Sequence, residues 1–315
     1  MQPDTAWMIF QYQQHMKEAL GLNDKTIDAR MRHVIEFTCG LDDKPLRNIS
    51  KDDIACFKAR LIEVDTDVSN PGNQKAAATI VQTCQNLKAF MDWLGHQSGY
   101  RSMDRDLPNY CKPSRHHVAL SKVKSDKHVP NADEIRTLLA SMPKVTNQHR
   151  RDRAIVAFLF LTGVRDAALI SLRLKHVDLE NRLVFQDAKE VRTKFSKTMT
   201  TFWFPVGEDI GQIVTDWINE RRATASSENE PVFPRSPSAI PVKSSESQFW
   251  QTAAPVRHIL KQATAKTGQT YFVPHAVRST LALMIDAIAT TFEERKALSQ
   301  NLGHEHMRTT EEHYG

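Results

Sequence analysis

Residues 154–161 read Ala-Ile-Val-Ala-Phe-Leu-Phe-Leu, without one polar side chain. A run like this has no solvent face in any regular conformation, so other elements must surround it. It is far too short to cross a bilayer, which needs about 20 apolar residues. The expectation is a buried helix over 153–161 at the centre of a helical domain. The whole chain, at 315 residues, exceeds one average domain, so a second domain is expected beside it. Hydrophobic content of 40% and charged content of 25% are those of an ordinary globular protein. A formal charge of +5 and a pI near 9.0 suit a polyanionic partner without proving one.

The N-terminal region reads as helical. Met8, Ile9, Tyr12, Met16 and Leu20 recur at helical spacing, and so do Ile27, Met31, Val34 and Ile35. Ser50 followed by Asp52 and Asp53 is a helix start, and Ile80, Cys84, Leu87, Met91 and Leu94 share one helical face. These four segments predict a small bundle ending near Tyr100, within a domain spanning 1–111. Cys39, Cys56, Cys84 and Cys111 form no CxxC pair and read as small core residues of a reducing compartment. No basic segment followed by an apolar stretch opens the chain, so the sequence reads as cytosolic, with no membrane role.

Residues 112–128 read as an interdomain linker. Lys112, Arg115, Lys122, Lys124 and Lys127 face a single carboxylate, Asp126, while Pro113, Ser114, Ser121 and Ser125 disfavour regular structure. The segment is either a solvated hinge or a phosphate-contacting arm, and one linker can be both. The second domain, 129–315, opens on a helix capped by Asn131. After the apolar helix come a second helix over 167–174, strands over 182–185 and 200–206, and a basic hairpin tip between them. A helix over 210–223, a Ser- and Pro-rich loop over 224–247 and further helices complete it. The expected class is mainly α with a small β-sheet.

Five side chains carry the chemistry. Arg165 closes Thr162-Gly163-Val164-Arg165, His275 and Arg278 lie in His275-Ala276-Val277-Arg278, His304 ends Leu302-Gly303-His304, and Tyr314 follows ten residues later. Two arginine forks suit the non-bridging oxygens of a phosphodiester, because they bind two oxygens at once and stay charged. His304 adds a ring N–H, and cationic donors aimed at developing charge are usually the largest catalytic contribution. A phenol can attack phosphorus, and His275 can move its proton. Each residue also has a plain reading: Arg165 as a helix C-terminal cation, His275 and Arg278 as a surface pair, Gly303-His304 as a C-cap, Tyr314 as an inert end. His304, His306 and His313 match no metal-ligand spacing, and the constellation requires neither metal nor cofactor.

Taken together, these boxes resemble the tyrosine recombinase, or phage integrase, family, residue by residue from about Asn131 to Gly315. The resemblance implies a SAM-like helical core-DNA-binding domain followed by a mixed α+β catalytic domain. It implies Tyr314 as nucleophile, Arg165, His275, Arg278 and His304 around the phosphate, and a lysine in the β-hairpin that protonates the leaving oxygen. Counting eight residues back from Pro205 reaches Lys197, with Lys194 as the alternative. It further implies double-stranded DNA at specific sites, a 3′-phosphotyrosine intermediate, a Holliday junction, a homo-tetramer and accessory directionality or DNA-bending proteins. An integrase of a mobile genetic element is the expected activity. A type IB topoisomerase and a non-catalytic DNA-binding relative are the alternatives.

Three departures from the family pattern stand out. Ala168 occupies a position that is often acidic. The step from His304 to Tyr314 is one residue longer than usual. The chain ends at Gly315, where relatives continue into a tail that docks on a neighbouring protomer, so a shortened or unusual terminus is expected. It also starts directly at what reads as the core-binding bundle, so the arm-binding domain many relatives carry is expected to be either lacking or removed.

Overall fold

The structure is a computed structural model that describes residues 2–63, 75–123, 128–236 and 248–303. The chain divides into two compact units, Met1–Ser125 and Asp126–Gly315.

The first unit is all helix: α1 (Pro3–Glu18), α2 (Asp24–Cys39), α3 (Lys51–Ile62), α4 (Ala77–Leu94), α5 (Leu107–Tyr110) and α6 (Arg115–Lys122). The apolar stripes read from the sequence face inward except at two residues: Leu20, which lies beyond the end of α1, and Ile35, on the outer face of α2, are exposed. Met8, Tyr12 and Met16 of α1 meet Met31, Val34 and Phe37 of α2, Ile54 and Phe57 of α3, and Leu87, Phe90 and Leu94 of α4. Each fully buried large side chain contributes about 1.5–3 kcal/mol. Helix starts are set by local hydrogen bonds. The Asn23 side chain accepts from the Thr26 N–H, and Ser50 and Asp53 cap one another reciprocally. The buried Tyr100 hydroxyl donates to Asp4 at 2.7 Å, pinning the start of α1 to the turn after α4.

Two expectations need correction here. Residues 115–122, read as irregular linker, form α6. Ser114 does not break structure but caps this helix, its hydroxyl accepting from the His117 N–H, and α6 packs on α4. Cys84 and Cys111 are core residues as expected, and burial pushes the Cys111 thiol up to about 12. Cys39 and Cys56 are exposed instead, because they fall on the outward faces of α2 and α3.

The second unit is built around α8 (Asn147–Thr162). Every residue from Ala154 to Leu161 is buried, as the apolar run requires. Around it lie α7 (Ala132–Ser141), α10 (Glu208–Thr224), α11 (Ala254–Thr267) and α12 (Pro274–Ile288). The short α9 (Asp166–Leu169) and the terminal α13 (Phe292–Asn301) complete the helices. Helix α9 stops at Leu169, short of the expected 174. Leu172 and Leu174 are buried in the following turns, so their apolar spacing reflects core packing rather than a helix.

A three-stranded antiparallel sheet runs β1 (Val177–Asp178), β2 (Leu183–Gln186), β3 (Met199–Phe202), with Val184 opposite Thr201 and Gln186 opposite Met199. The two-residue β1 was not legible as a strand. Strand β3 ends at Phe202 rather than continuing to 206, because the Phe204 N–H leaves the sheet to donate to the Leu161 carbonyl at 2.7 Å. That bond satisfies a carbonyl at the C-terminus of α8 and drops Phe204 and Val206 into the core. Among the described residues no helix is long and apolar enough to cross a membrane.

Candidate active site

The turn after α8 is set residue by residue. Gly163 ends the helix in the left-handed region at φ 60°, with its N–H on the Leu159 carbonyl. The buried Thr162 hydroxyl donates to the Phe158 carbonyl and accepts from the Val164 N–H. Val164 is buried, and Arg165 then leads into α9 with a half-buried side chain. Arg165 is therefore not a cation capping the end of α8; Gly163 does that. Asp166 accepts from Arg257 of α11 at 3.2 Å, and the neighbouring Ala168 is buried.

Arg278 joins two of the sequence boxes. It lies one turn into α12, 3% exposed, and donates through Nη1 to the Gly163 carbonyl and through Nη2 to the Leu302 carbonyl. One guanidinium thus ties the Thr162–Arg165 turn to the Leu302-Gly303 turn, two segments more than a hundred residues apart in sequence. This excludes the reading of Arg278 as half of a surface pair. A guanidinium carries five N–H donors, so carbonyl bonds and a phosphate contact are compatible.

Gly163 and Gly303 permit this closeness. A Cβ on Gly163 would stand 2.7 Å from Leu302 Cδ2 and 2.9 Å from Leu281 Cδ1. A Cβ on Gly303, at φ 74°, would stand 2.9 Å from Met199 Cε and 3.8 Å from Arg165 Nη1. Gly303 therefore lies against both the Arg165 guanidinium and the start of β3. A Gly163→Ala variant is expected to lose about 2–4 kcal/mol, from left-handed strain and overpacking together. Chemical denaturation checks it; a loss under about 0.5 kcal/mol would mean that the two turns are not held this closely.

The β-hairpin is attached on both sides. Asn301, the last residue of α13, accepts the Phe202 N–H at 2.6 Å and donates to the Phe202 carbonyl at 2.8 Å, copying a strand partner at the β3 edge. On the other side, the loop after β2 is anchored by Glu190, which takes Lys175 at 2.8 Å and the buried His176 Nε2 at 2.9 Å. The Arg173 N–H donates to His176 Nδ1, so the proton of the neutral ring sits on Nε2 and points at Glu190. Burial holds the His176 pKa below the ordinary imidazole value, outweighing the attraction of Glu190.

A group with a depressed histidine pKa binds its proton in the unfolded chain first. Stability is therefore expected to fall as the pH drops from about 7 towards 5, through the ordinary imidazole range near 6.5. A His176→Gln variant should show a shallower decline in thermal midpoint over that range. Equal slopes would remove His176 from this role.

Of the remaining candidate residues, His275 is exposed on the first turn of α12, and Lys194 and Lys197 are exposed on the hairpin. Lys197 stands two residues before Met199, the side chain beneath Gly303. His304 and Tyr314 lie outside the described residues, as do Lys124 and Lys127. Lys112, Arg115 and Lys122 are exposed around α6. Among the described residues no group of three or more His, Cys, Asp or Glu side chains is placed to hold a metal.

One basic surface went unread in the sequence. In the first unit an open cleft between α2 and α4 is lined by Lys25, Arg30, Arg32, His33, Gln82 and Asn86. Its charges are dispersed along α2 and not concentrated in a run. Plotting α2 on a helical wheel, with Lys25 and Arg32 seven residues apart, was the available signal.

The helical unit around α8, with its small antiparallel sheet leaning on the Leu302-Gly303 turn, has the catalytic fold of a tyrosine recombinase. The chain belongs to the phage integrase family, which matches residues 129–315, and it is a DNA strand-breaking and rejoining enzyme. Tyrosine recombinase XerC of Corynebacterium glutamicum is 25% identical over 251 residues, 75% of this chain and 67% of that protein. XerC of Roseiflexus sp. (strain RS-1) is 23% identical over 312 residues, 94% of this chain and 85% of that protein. Among solved structures, a lambda integrase dimer bound to a COC′ core site superposes with a TM-score of 0.66 at 15% identity. That match covers 98% of this chain and 77% of that one. The Tn1549 transposon integrase in complex with a circular intermediate DNA superposes at 0.64 and 15% identity, over 99% and 95%.

Proposed function

We propose that the protein is a site-specific recombinase that integrates or excises a mobile genetic element through Tyr314. The phenol attacks the scissile phosphate and forms a 3′-phosphotyrosine, and the 5′ oxygen leaves as a hydroxyl. Arg165, Arg278 and His304 neutralise the pentavalent phosphorane, where fixed donors contribute most. His275 takes the phenol proton, and Lys197, or Lys194 in its place, protonates the leaving oxygen. The phosphotyrosine conserves the bond energy of the phosphodiester, so a 5′-hydroxyl from the partner duplex reseals the strand without ATP. Two such exchanges pass through a Holliday junction held by four protomers.

The observation that carries this reading is the Arg278 guanidinium on the Gly163 and Leu302 carbonyls. It draws together the turn that presents Arg165 and the turn that leads into His304. The first unit is proposed to bind core-site DNA, using the α2–α4 cleft together with Lys112, Arg115, Lys122, Lys124 and Lys127. Contacts of this kind go mainly to phosphates and set position rather than sequence.

The test combines covalent trapping with topology. Wild-type protein on a nicked suicide duplex carrying its site should form a protein–DNA adduct. Lys197→Ala should slow adduct formation by about 10²–10⁴-fold, the usual worth of a general acid, and Lys194→Ala should not. The opposite ranking would move the acid to Lys194, and normal rates in both would exclude a hairpin lysine. Rapid relaxation of supercoils without site dependence would replace recombination with a topoisomerase activity.

A further inference from the structure

The most exposed large apolar side chain described is Phe195, 90% exposed at the tip of the β2–β3 hairpin. Its backbone is unusual: Phe195 has φ 59° and Ser196 φ 50°, two consecutive residues in the left-handed region without a glycine. Bulky residues seldom adopt that conformation, and such strain persists where the fold imposes it. Here the fold does so at the loop's root. Val191 is buried, the Arg192 N–H donates to the Ser171 hydroxyl, and Glu190 is held by Lys175 and His176. From that fixed root the tip projects outward, and the Lys194 ammonium lies over the Phe195 ring, 5.0 Å from its centroid. One face of the ring meets a cation and the other meets solvent.

The charge around the ring fits one kind of partner. The same loop carries Lys189, Lys197 and Arg192, whose Nη1 donates to the Gln251 carbonyl, while its two carboxylates are engaged at the root: Glu190 with Lys175 and His176, Asp187 with the Lys189 N–H. An aromatic ring at the centre of a cationic tip matches a nucleic-acid groove, with phosphates for the cations and a base for the ring.

We propose that Phe195 enters the base stack beside the phosphate that is cleaved, opening the step so that the neighbouring hairpin lysine reaches the leaving oxygen. This rests on the recombinase reading above and adds a positioning residue to it. Phe195 takes no part in proton or phosphoryl transfer. It sets the depth and orientation at which the hairpin enters the groove, and the strained backbone holds the ring outward in advance.

The probe is the protein's own cleavage duplex, recovered through the covalent adduct from a randomised duplex pool and remade as a nicked substrate. With paired DNA, Phe195→Ala should form adduct about 10–100-fold more slowly than wild type, the worth of one base–aromatic stack, and Phe195→Trp should stay within about threefold. With mismatches placed at the step beside the cleaved phosphate, Phe195→Ala should recover most of the lost rate, because that step is already open. Because the side chain is exposed, its thermal midpoint should equal wild type. A 2-aminopurine at the same step should brighten on binding wild type and not the alanine variant. If Phe195→Ala cleaves paired DNA at the wild-type rate, or mismatches rescue nothing, Phe195 has no such role while the recombinase reading stands. If wild type forms no adduct with any duplex in the pool, the recombinase reading falls and this inference with it.

Discussion

An Arg278→Ala variant is expected to be both unstable and inactive, and the two losses have separate causes. The side chain is 3% exposed and donates to the Gly163 and Leu302 carbonyls. Truncation leaves both buried carbonyls without that donor, at about 1–3 kcal/mol each, besides a cavity the size of the removed stem. A drop of about 2–5 kcal/mol should lower the thermal midpoint by roughly 5–15 °C in a unit of this size. Arg278→Lys separates the effects. A lysine can reach one carbonyl but lacks the fork, so part of the stability should return while adduct formation stays depressed. If Arg278→Lys restores full cleavage, the residue is only a brace between the two turns.

Tyr314→Phe should have the largest effect on activity and almost none on folding. The phenylalanine keeps the ring and removes only the attacking oxygen, so adduct formation should fall about a thousandfold or more. Binding to the same duplex should stay within about threefold, because the cations that meet the phosphates are unchanged. Ten residues separate His304 from Tyr314, one more than the resemblance to the family leads one to expect. Deleting one residue between them therefore tests whether the extra length is required.

Much of this architecture was legible because its causes are local. A run with no polar side chain had to be central, and Ala154 to Leu161 is buried throughout. Helical stripes placed the cores of α1 to α4, and the motifs marked the turns at Gly163 and Gly303. What the sequence hid depends on the destination of single polar groups. Ser114 reads equally as a breaker and a cap, and only the His117 N–H decides between them. Thr200 to Val206 reads as one strand, yet the Phe204 N–H is claimed by the end of α8. The sequence motif named Arg278 without indicating that its guanidinium would bind backbone carbonyls. Nor could composition reveal the α2–α4 cleft, because helix packing, not sequence adjacency, gathers Lys25, Arg32 and Gln82.

The most direct test of the account is to trap the wild-type protein on a nicked suicide duplex, digest both components and locate the join by mass spectrometry. The expected product is a DNA 3′-phosphate esterified to the hydroxyl of Tyr314, with a free 5′-hydroxyl on the released strand. A join at any other residue, a join through a 5′-phosphate, or the same adduct from Tyr314→Phe would contradict it.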